Sequence, residues 1–187
     1  MPFERVTSDR LRRFLERLGS EYRGPGRIYL VGGTSLLLDG LKAATKDVDL
    51  SISLAPRQHE DFVRALIRLR DELQIAVEEV SPGDFIPLPS GVENRHRYLG
   101  RTGQLEVFSF DPVSTALAKL ARGRAQDVSD VLALLHSGRL EVGALVTAFE
   151  EILPRVAAEA LTITEDDFRR KFTAFLALAR ERGTTGA

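Results

Sequence analysis

The alternation of apolar and polar positions divides the chain into a first half of mixed texture and a second half of successive helices. Leu11, Phe14, Leu15 and Leu18 recur at helical spacing with arginines and Glu16 opposite, so a helix is predicted over 7–20. Thr7 or Ser8 caps its start and Gly19 lies near its end. Residues 27–31 (RIYLV) form a short apolar run that reads as a buried strand. Gly32-Gly33 ends it, and Thr34-Ser35 open an apolar helix, SLLLDGL. Residues 47–53 (DVDLSIS) alternate strictly, with Val48, Leu50 and Ile52 on one face. Pro56 starts a long amphipathic helix through Leu73 that carries Phe62, Leu66 and Leu69. A third strand is predicted over 75–80, a turn-rich loop over 81–91 (SPGDFIPLPSG) and a fourth strand over 104–110. From Asp111 onward the pattern predicts helices over about 112–122, 126–136, 141–158 and 164–182, with Gly123, Gly138 and the Thr164 cap as punctuation. The expected organisation is a small α/β core with its N-terminal helix over 1–111 and a helical region packed on it over 112–187.

Composition narrows the chemistry. A chain of 187 residues that is 43% hydrophobic affords a real core in one domain, or in one domain with a helical extension. The absence of cysteine excludes a disulfide scaffold, a thiolate metal site and thiol catalysis. The N-terminus is charged almost at once, and no apolar stretch approaches the roughly 20 residues of a membrane span. A soluble, cytoplasmic protein with no membrane partner is therefore expected. The net charge of −1 carries no global nucleic-acid signature. Arginine dominates the positive side, with clusters at Arg10, Arg12, Arg13 and Arg17, at Arg95 and Arg97, and at Arg122 and Arg124. Such residues suit forked phosphate contacts, and they equally suit a solvated helix face. His59, His96 and His136 lack zinc-ligand spacing, and there is neither a G-x-S-x-G elbow nor a Walker A lysine.

The unusual feature is the pairing of a glycine turn with two aspartates in the next strand. Asp47 and Asp49 are two apart, so both project from the face opposite Val48 and Leu50. Two carboxylates aimed at one point repel each other but make a good site for Mg²⁺ or Mn²⁺. Gly32 and Gly33 let backbone approach a ligand closely, and the N–H groups of Thr34 and Ser35 open a helix that suits an anion. Triphosphate on the turn and metal on the aspartates describe a nucleotide site. Downstream, Lys119 follows the fourth strand, and Asp127 and Asp130 share one helix face. These residues fit a triphosphate contact, and they fit a structural salt-bridge web as well.

Three segments together carry a resemblance: VGGTS (31–35), TKDVDL (45–50) and ALAKLARGRAQDVSDVLAL (116–134). The sequence resembles the DNA polymerase β-type nucleotidyltransferase superfamily, in particular its compact bacterial toxin and abortive-infection branch. The resemblance covers about 27–135. It implies an α+β fold, a minimal mixed sheet flanked by helices with a helical C-terminal part. It also implies transfer of a nucleoside monophosphate from an NTP to an acceptor hydroxyl, with release of pyrophosphate. The acceptor would be a tRNA 3′ end or a protein, and an antitoxin protein would be a further partner. Asp47 and Asp49 would hold the metal, and Gly32, Gly33, Thr34, Ser35, Lys119, Arg122 and Asp127 would bind nucleotide. Glu106 is the one setting for a third catalytic carboxylate and is equally suited to be a rim charge; Lys119 would join the catalytic set. The chain departs from the family where Ala43 replaces a usual arginine, leaving Lys42 and Lys46 as substitutes. A non-catalytic module that binds nucleotide or a partner protein is the alternative reading.

Overall fold

The computed structural model describes residues 3–160 and 162–183. They fall into two compact units, Met1–Val80 with His96–Phe110, and Ser81–Arg95 with Asp111–Ala187.

The first unit opens with helix α1 (Ser8–Glu21), whose first turn is capped by the Thr7 hydroxyl. Strand β1 (Gly26–Leu30), helix α2 (Gly32–Leu38), strand β2 (Asp47–Ser53), helix α3 (Pro56–Leu73) and strand β3 (Ala76–Glu79) follow. A hairpin of β4 (Arg97–Thr102) and β5 (Leu105–Ser109) completes a sheet of order β3-β2-β1-β5-β4. The sheet is mixed: β1 runs antiparallel to β2 and parallel to β5, β2 and β3 are parallel, and β4 and β5 are antiparallel. The α+β expectation therefore holds, with one strand more than the pattern predicted. Strand β4 reads RYLGRT, an edge strand with two arginines and a glycine, and its residues do not alternate cleanly in hydrophobicity.

Period-2 burial settles which face of the sheet is core. Ile28, Leu30, Val48, Leu50, Leu105 and Val107 point to one side and pack with Leu11, Phe14 and Leu18 of α1 and with Phe62 and Leu69 of α3. Each such side chain contributes about 1.5–3 kcal/mol when fully buried. Gly19 proves to be a packing residue within α1. A Cβ there would sit 2.3 Å from Thr102 Oγ1, so the helix approaches β4 on bare backbone. The opposite sheet face carries the alternate residues, among them Asp47, Asp49, Ser51, Tyr29 and Phe108.

The second unit contains α4 (Pro112–Arg122), α5 (Ala125–His136), α6 (Val142–Glu159) and α7 (Glu165–Glu181), joined by the segment Ser81–Arg95. Its core includes a parallel stack of Phe149 on Phe172, 3.8 Å between centroids, with Phe168 edge-on. The turn-rich segment is strapped down by polar contacts. Arg95 forks onto buried Asp111 at 3.0 and 2.9 Å and donates to the Ser90 carbonyl at 2.8 Å. Glu151 accepts from the Ser90 N–H and hydroxyl, which holds its carboxyl below the ordinary glutamate range. Asp111 also caps α4 by accepting from the Val113 and Ser114 N–H groups. Among the described residues no helix is long and apolar enough to cross a membrane.

Candidate functional site

The glycine turn links β1 to α2 and is built around its neighbours' side chains. Gly32 has φ +57°, and a Cβ on it would lie 2.6 Å from Asp49 Oδ2. A Cβ on Gly33 would lie 2.6 Å from Thr45 Oγ1 and 3.6 Å from Lys42 Nζ. The two glycines thus leave room for one carboxylate and one hydroxyl, and the Lys42 ammonium reaches the turn. Thr45 is fixed from the other side by paired backbone hydrogen bonds with Val6, 2.8 and 2.9 Å.

Thr34 and Ser35 face inward. Their N–H groups both donate to the Val31 carbonyl, at 3.1 and 3.3 Å, so these donors serve the first helical turn. The Ser35 hydroxyl donates to the Gly32 carbonyl at 3.1 Å. Thr34 is fully buried; its Oγ1 accepts from the Asp49 N–H at 2.9 Å and donates to the Asp47 carbonyl at 3.4 Å. Because the Val31 carbonyl is turned into α2, the threonine hydroxyl stands in for the ladder acceptor that Asp49 would otherwise meet on β1. One side chain therefore fixes the backbone at both aspartates.

Asp47 and Asp49 project from the same face of β2, as the alternation predicts, and a third carboxylate joins them. One oxygen each from Asp47, Asp49 and Glu78 all lie within 4.8 Å of one another. Glu78 gets there through the parallel register of β3, which pairs it directly with Asp49. Asp47 and Asp49 are half-buried and Glu78 is exposed. The donor set is wholly carboxylate oxygen, the chemistry that Mg²⁺ and Mn²⁺ prefer, and the bare glycine at position 32 makes room for the Asp49 carboxylate. The group fits the ion.

The structure does not bring Glu106 to this cluster. It sits on β5 in register with Arg27, whose Nε donates to it at 3.0 Å. Arg27 in turn pairs with Ser53 at the other end of β2, four residues from Asp49, or about 13 Å along the strand. Glu106 is thus engaged by Arg27 away from the cluster, and among the described residues the third carboxylate beside Asp47 and Asp49 is Glu78. Glu78 carries no motif of its own in the run IAVEEV; only the strand register reveals it.

Lys119, Arg122, Asp127 and Asp130 come together within the second unit. Lys119 is buried, with Nζ 2.7 Å from Asp130 and 3.5 Å from Asp127. Arg122 forks onto Asp127 at 2.8 and 2.6 Å, and Gln126 donates to Asp130 at 2.9 Å. Burial pushes the Asp127 carboxyl up, but the Arg122 hydrogen bonds and the Lys119 and Arg122 charges outweigh it and hold it below the ordinary aspartate range. Two cations and two carboxylates thus compensate each other between α4 and α5.

A family model described as a nucleotidyltransferase of unknown function (DUF6036) matches residues 10–175. No curated protein and no solved structure gives a match.

Proposed function

From the premise that the chain belongs to the DUF6036 family of nucleotidyltransferases, we propose that its first unit moves a nucleoside monophosphate from an NTP to an acceptor hydroxyl, using Mg²⁺ or Mn²⁺ held by Asp47, Asp49 and Glu78. The observation that carries this reading is the convergence of three carboxylates beside a glycine turn. Carboxylates so close to one another repel, and a bound divalent cation would offset that repulsion.

When bound, the divalent ion offsets the negative charge of the phosphates during in-line displacement. The chain's own residues do the rest. Asp47, Asp49 and Glu78 fix the position of the charge centre, and Thr34 holds the strand segment from which the first two project. Gly32 and Gly33 allow backbone to meet a phosphate, and Lys42 contributes a cation at the turn where the family's arginine is missing. The acceptor oxygen bonds the α-phosphorus as the bond to the bridging oxygen breaks, and pyrophosphate departs. Glu78, the exposed carboxylate, takes the acceptor proton. A nucleotide-binding role for Lys119, Arg122 and Asp127 rests on the family resemblance. Their hydrogen bonds support a brace between α4 and α5.

Thermal melts test the site. Wild-type protein should gain stability from Mg²⁺-NTP, by about 2.7 kcal/mol at a hundredfold excess over Kd. The Asp47→Asn/Asp49→Asn variant should fold and lose that gain. An equal gain in the double variant would place the nucleotide site elsewhere.

A further inference from the structure

Two of the three clustered carboxylates stand on β2, but the third, Glu78, stands on an edge strand of four residues. No side chain of β3 is fully buried: Ala76 and Val77 are half-buried, and Glu78 and Glu79 are exposed. Register is weakly specified in such a strand, and a slip of one residue reverses every side chain. It would present Val77 or Glu79 opposite Asp49 in place of Glu78. The ends of the strand must therefore set the register. At the exit the Val80 N–H donates to the Leu50 carbonyl at 2.9 Å. At the entry stand buried Ile75 and, before it, Gln74, which closes α3 with φ +50°. That left-handed conformation is costly for a residue with a Cβ, and among the described residues no other non-glycine adopts a positive φ.

The segment before α1 holds this entry. The Glu4 N–H donates to the Gln74 carbonyl at 3.3 Å, and two residues on Val6 exchanges hydrogen bonds with Thr45, 2.8 and 2.9 Å. Thr45 and Gln74 each lie two residues before one member of the Asp47–Ala76 pair, so the segment spans the entries of both strands at one level. Val6 is buried in the core, which anchors the segment. Arg10 of α1 locks it. Its guanidinium pairs with the Glu4 carboxylate and donates to the Leu73 and Gln74 carbonyls at 2.6 and 3.1 Å. These are carbonyls that the end of α3 leaves without helical donors. One arginine thus joins the segment, the left-handed turn and the entry to β3.

Resting on the nucleotidyltransferase reading, we propose that Arg10 is a positioning residue of the metal site. Through Glu4–Val6 and Gln74 it fixes the register of β3 on β2, so that Glu78 rather than Glu79 meets Asp47 and Asp49. It acts through the backbone that leads into β3 and not on the ion. Arg17, two turns further along α1, supplies the contrast. It pairs with the Glu72 and Glu21 side chains and so ties α1 to α3 through side chains only.

Mn²⁺ titrated into the metal-free protein, followed by loss of the free-ion EPR signal, reads the site without turnover. Arg10→Gln should weaken Mn²⁺ binding about 10-fold and speed amide exchange over 76–80. Arg17→Gln removes another tie between α1 and α3 and should leave both unchanged. Arg10→Lys keeps a cation beside Glu4 but loses the fork; it should fall between, and it carries the test should Arg10→Gln fail to fold. Glu79→Gln should be silent in wild type and should weaken Mn²⁺ binding further in Arg10→Gln, where the slipped register is populated. Wild-type affinity and exchange in Arg10→Gln overturn the proposal. So does an equal loss in Arg17→Gln, which marks general destabilisation, or a Glu79→Gln effect in wild type as large as that of Glu78→Gln. No Mn²⁺ binding by wild type would sink the metal reading and this proposal with it. Mn²⁺ binding by wild type that Arg10→Gln leaves intact sinks the proposal alone.

Discussion

Replacing Thr34 with valine keeps the shape of the side chain and removes one oxygen. That oxygen accepts from the Asp49 N–H at 2.9 Å in a fully buried setting, and its second bond, to the Asp47 carbonyl at 3.4 Å, is long. Valine leaves the Asp49 N–H without an acceptor, a loss of about 1–3 kcal/mol. For a chain of this length each kcal/mol lowers Tm by about 2–4 °C, so Thr34→Val should melt roughly 2–12 °C below wild type. Thr34→Ser keeps the hydroxyl and should retain most of the polar term. Because the chain has two units, the melt should be accompanied by hydrogen exchange at the Asp49 amide, which reports on this bond alone. The same loss frees the backbone from which Asp47 and Asp49 project. Mn²⁺ affinity, read by titration, should fall about 10–100-fold in Thr34→Val and much less in Thr34→Ser. A Thr34→Val protein with wild-type exchange at Asp49 and wild-type Mn²⁺ affinity would refute the claim that this hydroxyl positions the aspartates.

Glu78→Gln should weaken Mn²⁺ binding while Glu106→Gln leaves it unchanged, since only Glu78 shares the cluster; the reverse order would restore the β5 carboxylate. Lys119→Met strands buried Asp130 and should cost the second unit about 3–5 kcal/mol. Adding Asp130→Asn should recover most of that in a double-mutant cycle; no recovery would mean that Lys119 is not the brace. Asp127 has a depressed carboxyl pKa, so the stability it lends is present above the unfolded value near 4 and is lost as pH falls through its folded value. Melts of wild type should therefore decline below about pH 4 more steeply than those of Asp127→Asn, and parallel curves would contradict the assignment.

Much of this was legible in the chain because two periodicities carry it. Strict alternation in DVDLSIS fixed β2 and the shared face of Asp47 and Asp49, and Pro56 with its apolar stripe fixed α3. What escaped depends on pairing between distant segments. Glu78 enters the cluster only through the β2–β3 register, and Glu106 leaves it only because β5 pairs Glu106 with Arg27 at the far end of β1. Strand β4 hid behind its arginines and its irregularity. The N–H groups of Thr34 and Ser35 read as anion donors in the linear sequence, yet both donate to the Val31 carbonyl. The glycine turn was visible as a motif, but that its two bare positions make room for Asp49 and Thr45 was not.

The central claim is that carboxylates on β2 and β3 support attack at the α-phosphorus of an NTP. Purified protein with Mg²⁺ and a total lysate or bulk RNA pool should be offered each NTP twice, once labelled at the α-phosphate and once at the γ-phosphate. The account predicts acceptor labelling from the α position only, absent in Asp47→Asn/Asp49→Asn. Labelling from the γ position, or α-labelling that survives in the double variant, would contradict it.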